Sequence, residues 1–164
     1  MRLCAKPPLP AATARSTPER LSPEQAAFWA AFLGSPAAPK DAEARFHSVF
    51  GVGSGSDEGA ALILSGAKTA TSSLPSEFTP GAAPVPGSLS LLTGANGRPL
   101  AVVETLSISL MTQASMGDDF IKAYAEWPDR DAFVRGMTEW YQGLDPDFTA
   151  DSPLLAERFR VIWP

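Results

Sequence analysis

The chain has 164 residues, a formal net charge of −5, and a single Cys and a single His. That length fits one domain, and 45% apolar with 19% charged residues is ordinary for a globular core. No apolar run approaches the ~20 residues of a membrane-spanning helix, Met1 to Pro8 lacks the apolar stretch of a secretory signal, and one Cys with one His makes neither an internal disulfide nor a Cys/His zinc site. The expectation is a cytoplasmic protein that does not engage a membrane. Residues 1–45 carry six Lys/Arg against four Asp/Glu, and residues 46–164 carry seven against fourteen. An acidic domain is a poor bulk binder of nucleic acid, because phosphate neutralisation dominates such binding. DNA is therefore not expected as a partner, while a small ligand or a local basic cleft stays open.

Residues 1–20, rich in Pro, Ala and Thr, read as a disordered tail that includes Cys4. A helix follows over 22–34. Ser22 is its cap, Pro23 takes the first helical position, Gln25 completes a capping box and Gly34 stops it. Phe28, Trp29, Phe32 and Leu33 form its apolar face. Residues 41–50 read as a short helix ending at Phe50-Gly51, which makes 22–50 a helical extension before a core at about 56–164. Ser56 reads as the cap of a second helix that closes at Gly66. The polar segment 67–73 is β-compatible, and Pro75 to Gly87 is a loop. Strands follow at 88–92 and 100–110, around a turn at 94–97. Helical signals return over 118–127 and 130–142, and Leu154 to Trp163 reads as a last strand. Few strands and no regular β-α-β alternation favour an α+β domain over 21–164, with a small mixed or barrel-like sheet and flanking helices.

Several residues break these patterns. Leu100, Val102, Leu106, Ile108 and Leu110 share one face by parity, and Glu104 stands among them. A carboxylate there must be paired or hydrogen-bonded, as a structural ion pair or as a pocket acid. Glu157 repeats the anomaly among Leu155, Phe159, Val161 and Trp163, with Arg158 and Arg160 pointing the other way. Lys68 lies in a segment poor in packing atoms, on the surface or lining a pocket. In a regular strand Lys68 and Thr71 would face opposite sides, so any cooperation requires a bend between them. Glu126 ends a helix, where a carboxylate is electrostatically disfavoured, which points to a local partner. His47 reads as a surface or edge residue, and Phe133, Met137, Trp140 and Tyr141 read as a core stripe.

Phe50-Gly51, the run Leu62 to Leu74 with Gly66-Ala67-Lys68-Thr69-Ala70-Thr71, Pro86 to Ser90, Arg98 to Thr105 and Glu157 to Val161 together resemble the ASCH family, a group with a PUA-like β-barrel. The resemblance covers about residues 22–164 and implies RNA or a modified nucleoside as ligand. One branch of that family hydrolyses N4-acetylcytidine with a Lys and a Thr of this motif and a later Glu. By resemblance these are Lys68, Thr71 and Glu126, with Glu104 a second candidate carboxylate and Ser72, Arg158 and Arg160 as ligand contacts. Another branch is a metal-dependent ribonuclease. An alternative without catalysis is an RNA-binding domain whose basic rim takes in Lys68, Arg158, Arg98 and Arg160. Relatives carry an acidic Glu-Gly-Glu-Gly-Asp stretch where this chain reads Glu126-Trp127-Pro128-Asp129-Arg130, and a His where Met137 aligns. These departures point away from metal dependence, and neither a metal nor a cofactor is expected.

Overall fold

The computed structural model describes residues 21–52 and 57–164. The expected tail, Cys4 and the cap at Ser56 lie outside the described residues. The regular elements run α1 (Pro23–Leu33), β1 (Phe46–Gly51), α2 (Asp57–Leu64), β2 (Ala70–Ser73), β3 (Leu89–Thr93), β4 (Pro99–Thr112), α3 (Asp118–Tyr124), α4 (Arg130–Leu144) and β5 (Pro153–Trp163). The strands form one mixed sheet in the order β1-β3-β4-β5-β2, parallel between β1 and β3 and antiparallel elsewhere. The chain is α+β.

Helix α1 starts as its sequence dictates. The Gln25 N–H donates to Ser22 Oγ at 3.2 Å, and the Ser22 N–H donates to Gln25 Oε1 at 3.1 Å, which satisfies two of the donors that every helix start leaves open. Trp29 and Phe32 are buried against Leu89, Leu91 and Val102. The short helix expected over 41–50 is not formed. Turns lead instead into β1, paired from Phe46 with Leu89 to Gly51 with Thr93. The run Phe46-His47-Ser48-Val49-Phe50 is aromatic and β-branched, and the open edge of β3 satisfies its backbone. His47 accordingly sits on a strand, with Nε2 3.1 Å from the Ala82 carbonyl oxygen.

The parity reading of β4 fails for a local reason. The pairing with β5 skips Ile162 beside Val102 and Leu106 beside Thr105. Each β-bulge turns the alternation over. Ala101 and Val103 pack with Ala60 and Ile63 of α2, Leu92 and Phe159, while Val102 packs toward α1. Leu106 and Leu110, expected in the core, are exposed. The third core cluster joins α3 and α4 to the far side of the sheet: Phe120, Tyr124, Phe133, Met137 and Tyr141 meet Ala70, Leu74, Leu154 and Ala156. The Trp127 ring lies so close to Gly136 of α4 that a Cβ there would collide with it. Among the described residues no helix is long and apolar enough to cross a membrane.

Candidate active site

The site is built where the end of α2, the end of α3 and the edge strand β2 meet. Gly66 adopts φ +77° and turns the chain out of α2. The next residues are clamped by backbone bonds: Lys68 N–H to Leu62 O at 2.9 Å, Thr69 N–H to Ala123 O at 2.8 Å and Phe159 N–H to Thr69 O at 3.0 Å. This bend precedes β2 and drives the Lys68 side chain inward, to 1% exposure. Its Nζ donates to Ala70 O at 2.9 Å and Tyr124 O at 3.1 Å, and lies 3.0 Å from Glu126 Oε1. It also stands 3.6 Å above the Tyr124 ring centre, at cation–π distance. An ammonium has three N–H donors, and these three oxygens match them.

The α3 terminus makes the other half. Tyr124 is its last residue, and Ala125 takes the left-handed conformation with φ 60°. That turn presents the Tyr124 carbonyl and the Glu126 carboxylate to the same cation, a favourable charge at a helix C-terminus. The partner expected of Glu126 is therefore Lys68. Glu126 keeps 21% of its side chain exposed and is the part of the ion pair that reaches solvent.

Hydroxyls complete the cluster. Ser72 Oγ lies 2.8 Å from the Tyr141 hydroxyl and 3.5 Å from that of Tyr124. Burial pushes the Tyr124 phenol up to about 12, the Glu126 charge adds to this, and hydrogen bonds with Ser72 and Thr71 oppose it. Burial also holds Tyr141 well above the ordinary phenol value, with Tyr124 the next cause. Both phenols are neutral at physiological pH and can donate hydrogen bonds. Lys68, Ser72 and Glu126 thus gather around Tyr124. On the other side of β2, Thr71 pairs in register with Glu157, whose Oε1 accepts from Thr105 Oγ1 at 2.6 Å.

The remaining candidates are held elsewhere. Glu104 takes Arg45 at 2.5 Å on one oxygen and Arg160 at 2.8 Å on the other. Burial alone would raise its pKa, and the hydrogen bonds and charges of Arg160 and Arg45 outweigh that and lower it. With the Arg45 Nε–H donating to Gly87 O at 2.6 Å, this cluster ties the approach to β1, the start of β3, β4 and β5 together. Arg158 pairs with Asp119 at 2.6 Å and its guanidinium lies 5.3 Å from the Phe120 ring centre. It borders a cavity of about 110 Å³ between Ser107 and Ser109 of β4 and the start of α3. Met137 lies on the buried face of α4, in the core. No group of three or more His, Cys, Asp or Glu able to hold a metal occurs among the described residues.

Sequence reasoning missed Tyr124 and took Tyr141 for core alone. The available signal was chemical: a buried Tyr needs a partner for its hydroxyl, and the polar segment 67–73 offers several.

A mixed five-stranded sheet flanked by helices, with a buried Lys before an edge strand, defines a class of small α+β domains. The ASCH domain model matches residues 47–163, and the chain belongs to the ASCH family. Two solved structures share the fold. An ASCH domain from Lactobacillus crispatus JV V101 superposes with a TM-score of 0.70 at 21% identity, covering 89% of this chain and 98% of its own. A protein from Enterococcus faecalis V583 superposes with 0.68 at 23% identity, covering 85% and 93%. At these identities the likeness is one of fold. Comparison with curated proteins returns no match.

Proposed function

We propose that this ASCH protein hydrolyses the amide of an N-acylated nucleoside of the N4-acetylcytidine type, using Thr71 as nucleophile and the Lys68–Glu126 pair as proton carrier. The supporting observation is the 3.0 Å contact of the buried Lys68 with Glu126, with Thr71 three residues further on in the edge strand β2. In the resting pair Lys68 is an ammonium and Glu126 a carboxylate. Transfer of one proton from Lys68 to Glu126 leaves a free amine to act as base and a carboxylic acid to act as acid. Thr71 Oγ attacks the acyl carbonyl as Lys68 takes its proton. Collapse breaks the C–N bond, and Glu126 protonates the departing exocyclic amine. An acyl ester on Thr71 remains, with the pair back in its charged form. The pair then exchanges a proton again, a water attacks the ester as Lys68 takes its proton, and Glu126 protonates the departing Thr71 Oγ, which releases the carboxylic acid and restores the charged pair.

The ion-paired state of Arg158 and Arg160 favours this reading over an extended RNA surface, since each already has a carboxylate partner, Asp119 and Glu104. The purified protein should release cytidine from N4-acetylcytidine and leave a single-stranded oligonucleotide intact. No release, with oligonucleotide binding that weakens steeply with salt, would replace the reading with RNA binding. Oligonucleotide cleavage would replace it with a ribonuclease.

A further inference from the structure

Strand β4 outruns its neighbour β3. The pairing between them ends at Leu89 with Glu104, and one further rung joins Thr105 to Gly87 and Ser88, with Gly87 N–H to Thr105 O at 2.8 Å and Thr105 N–H to Ser88 O at 2.9 Å. From Leu106 to Met111, among the described residues, β4 has a strand on one side only, β5. No turn or loop backbone of those residues bonds its outer edge there. An open edge is a template for another strand, and proteins usually blunt it with Lys, Pro or an inward charge. The segment Leu106–Met111 carries no charged residue and no Pro. Leu106 is 47% exposed and Leu110 69%. The bulge at Leu106 falls where β3 ends, and the register with β5 runs unbroken from Ser107 to Thr112.

The occupant this edge fits is a second copy of the chain. Leu106-Ser107-Ile108-Ser109-Leu110 reads the same in both directions. An antiparallel pairing about a twofold axis at Ile108 sets Leu106 opposite Leu110 of the second copy, Ser107 opposite Ser109, and Ile108 opposite itself. Apolar residues then meet apolar ones and hydroxyls meet hydroxyls, the cross-strand pairs that stabilise a sheet. The charges also allow it. Arg158 and Glu157 of β5 stand beside Ser107 and Ile108 in register. Across the twofold each lies at least three strand spacings, about 14 Å, from its symmetry mate, beyond the ~8 Å screening length at physiological salt.

We infer that the outer edge of β4 over Leu106–Met111 is a homodimer interface, which joins two five-stranded sheets into one about a twofold axis at Ile108. The Lys68 site lies beyond β5, at the β2 edge, so the inference is independent of the acyl-transfer reading. An edge of about six residues falls short of the ~20–30 residues a side of a standard interface, so the dimer is weak and its population follows concentration.

The test is sedimentation velocity of the full chain from about 10 µM to about 1 mM, the range in which an interface below standard size associates. The weight-average mass should climb from the monomer value toward twice that value. Leu110→Lys should hold the chain at monomer mass throughout, and its exposed position leaves the fold intact, as thermal melts would record. Register is read by oxidation in a Cys4→Ser background. Ile108→Cys should crosslink to its own mate. Leu110→Cys should not, because its mate lies four residues along the strand, about 13 Å, beyond the ~7 Å reach of a disulfide. A wild type that stays monomeric over the whole range would overturn the inference. So would a dimer that survives Leu110→Lys, or Leu110→Cys crosslinking as fast as Ile108→Cys, since the contact would then lie on another face or in another register.

Discussion

Replacing Lys68 by Met probes the most densely bonded side chain of the site. Met nearly matches the aliphatic stem and removes only the ammonium. The structure then leaves the Ala70 and Tyr124 carbonyls without the donor at 2.9 and 3.1 Å. A buried acceptor stripped of its donor costs about 1–3 kcal/mol. Glu126, 21% exposed, turns to water at little cost. Relief of the desolvated cation offsets part of the loss. The net destabilisation is about 2–4 kcal/mol, roughly 5–15 °C in melting temperature for a domain of this size. Circular dichroism melts and urea titrations measure it, with an unchanged m value as the sign that the fold is kept. Glu126→Gln keeps an acceptor but removes the counter-charge of the buried ammonium, and should cost about 2–4 kcal/mol. A Lys68→Met variant that melts within about 2 °C of wild type, or above it, would refute the view that these carbonyls depend on the ammonium.

Three further outcomes follow from the same contacts. Glu104 has a folded pKa below its ordinary 4.5, so its contribution is complete above that value and is lost as pH falls through the folded value; urea titrations against pH should show a shallower acid limb in Glu104→Gln. Tyr124 has a folded pKa of about 12 against 10.0, so its contribution is complete below pH 10 and is lost between 10 and 12. That loss is roughly 2–3 kcal/mol at the alkaline end, and Tyr124→Phe should remove it from the alkaline melting curve. Gly136→Ala drives a methyl into the Trp127 ring and should cost about 1–3 kcal/mol as overpacking, read as a lower urea midpoint.

Much of the fold is legible where local chemistry decides it. Ser22, Pro23 and Gln25 define the start of α1, and Gly66 ends the turn after α2 because its positive φ suits glycine. The strand at Phe46–Gly51 was not legible, since its stability comes from a parallel partner more than 40 residues away in sequence, Leu89 to Thr93. The apolar face of β4 was misread for a related reason: a bulge is a mismatch between two strands and leaves no mark on one of them. The motif and the family resemblance singled out Lys68, Thr71 and Glu126, and the helix-end argument called for a partner to Glu126. Neither shows that a left-handed Ala125 turns that carboxylate onto Lys68. Glu104 illustrates the opposite case, a conspicuous, partly buried acid whose two arginine partners, Arg45 and Arg160, come from separate parts of the chain.

The most direct test of the central claim compares N4-acetylcytidine turnover by wild type, Thr71→Val, Lys68→Met and Glu126→Gln, each shown folded under the assay conditions. Nucleophile, base and acid acting as a unit predict cytidine release by wild type and a loss of kcat/KM of about a hundredfold or more in every variant. Wild-type release that persists in Thr71→Val would contradict the account, because no acyl group could then pass through that hydroxyl.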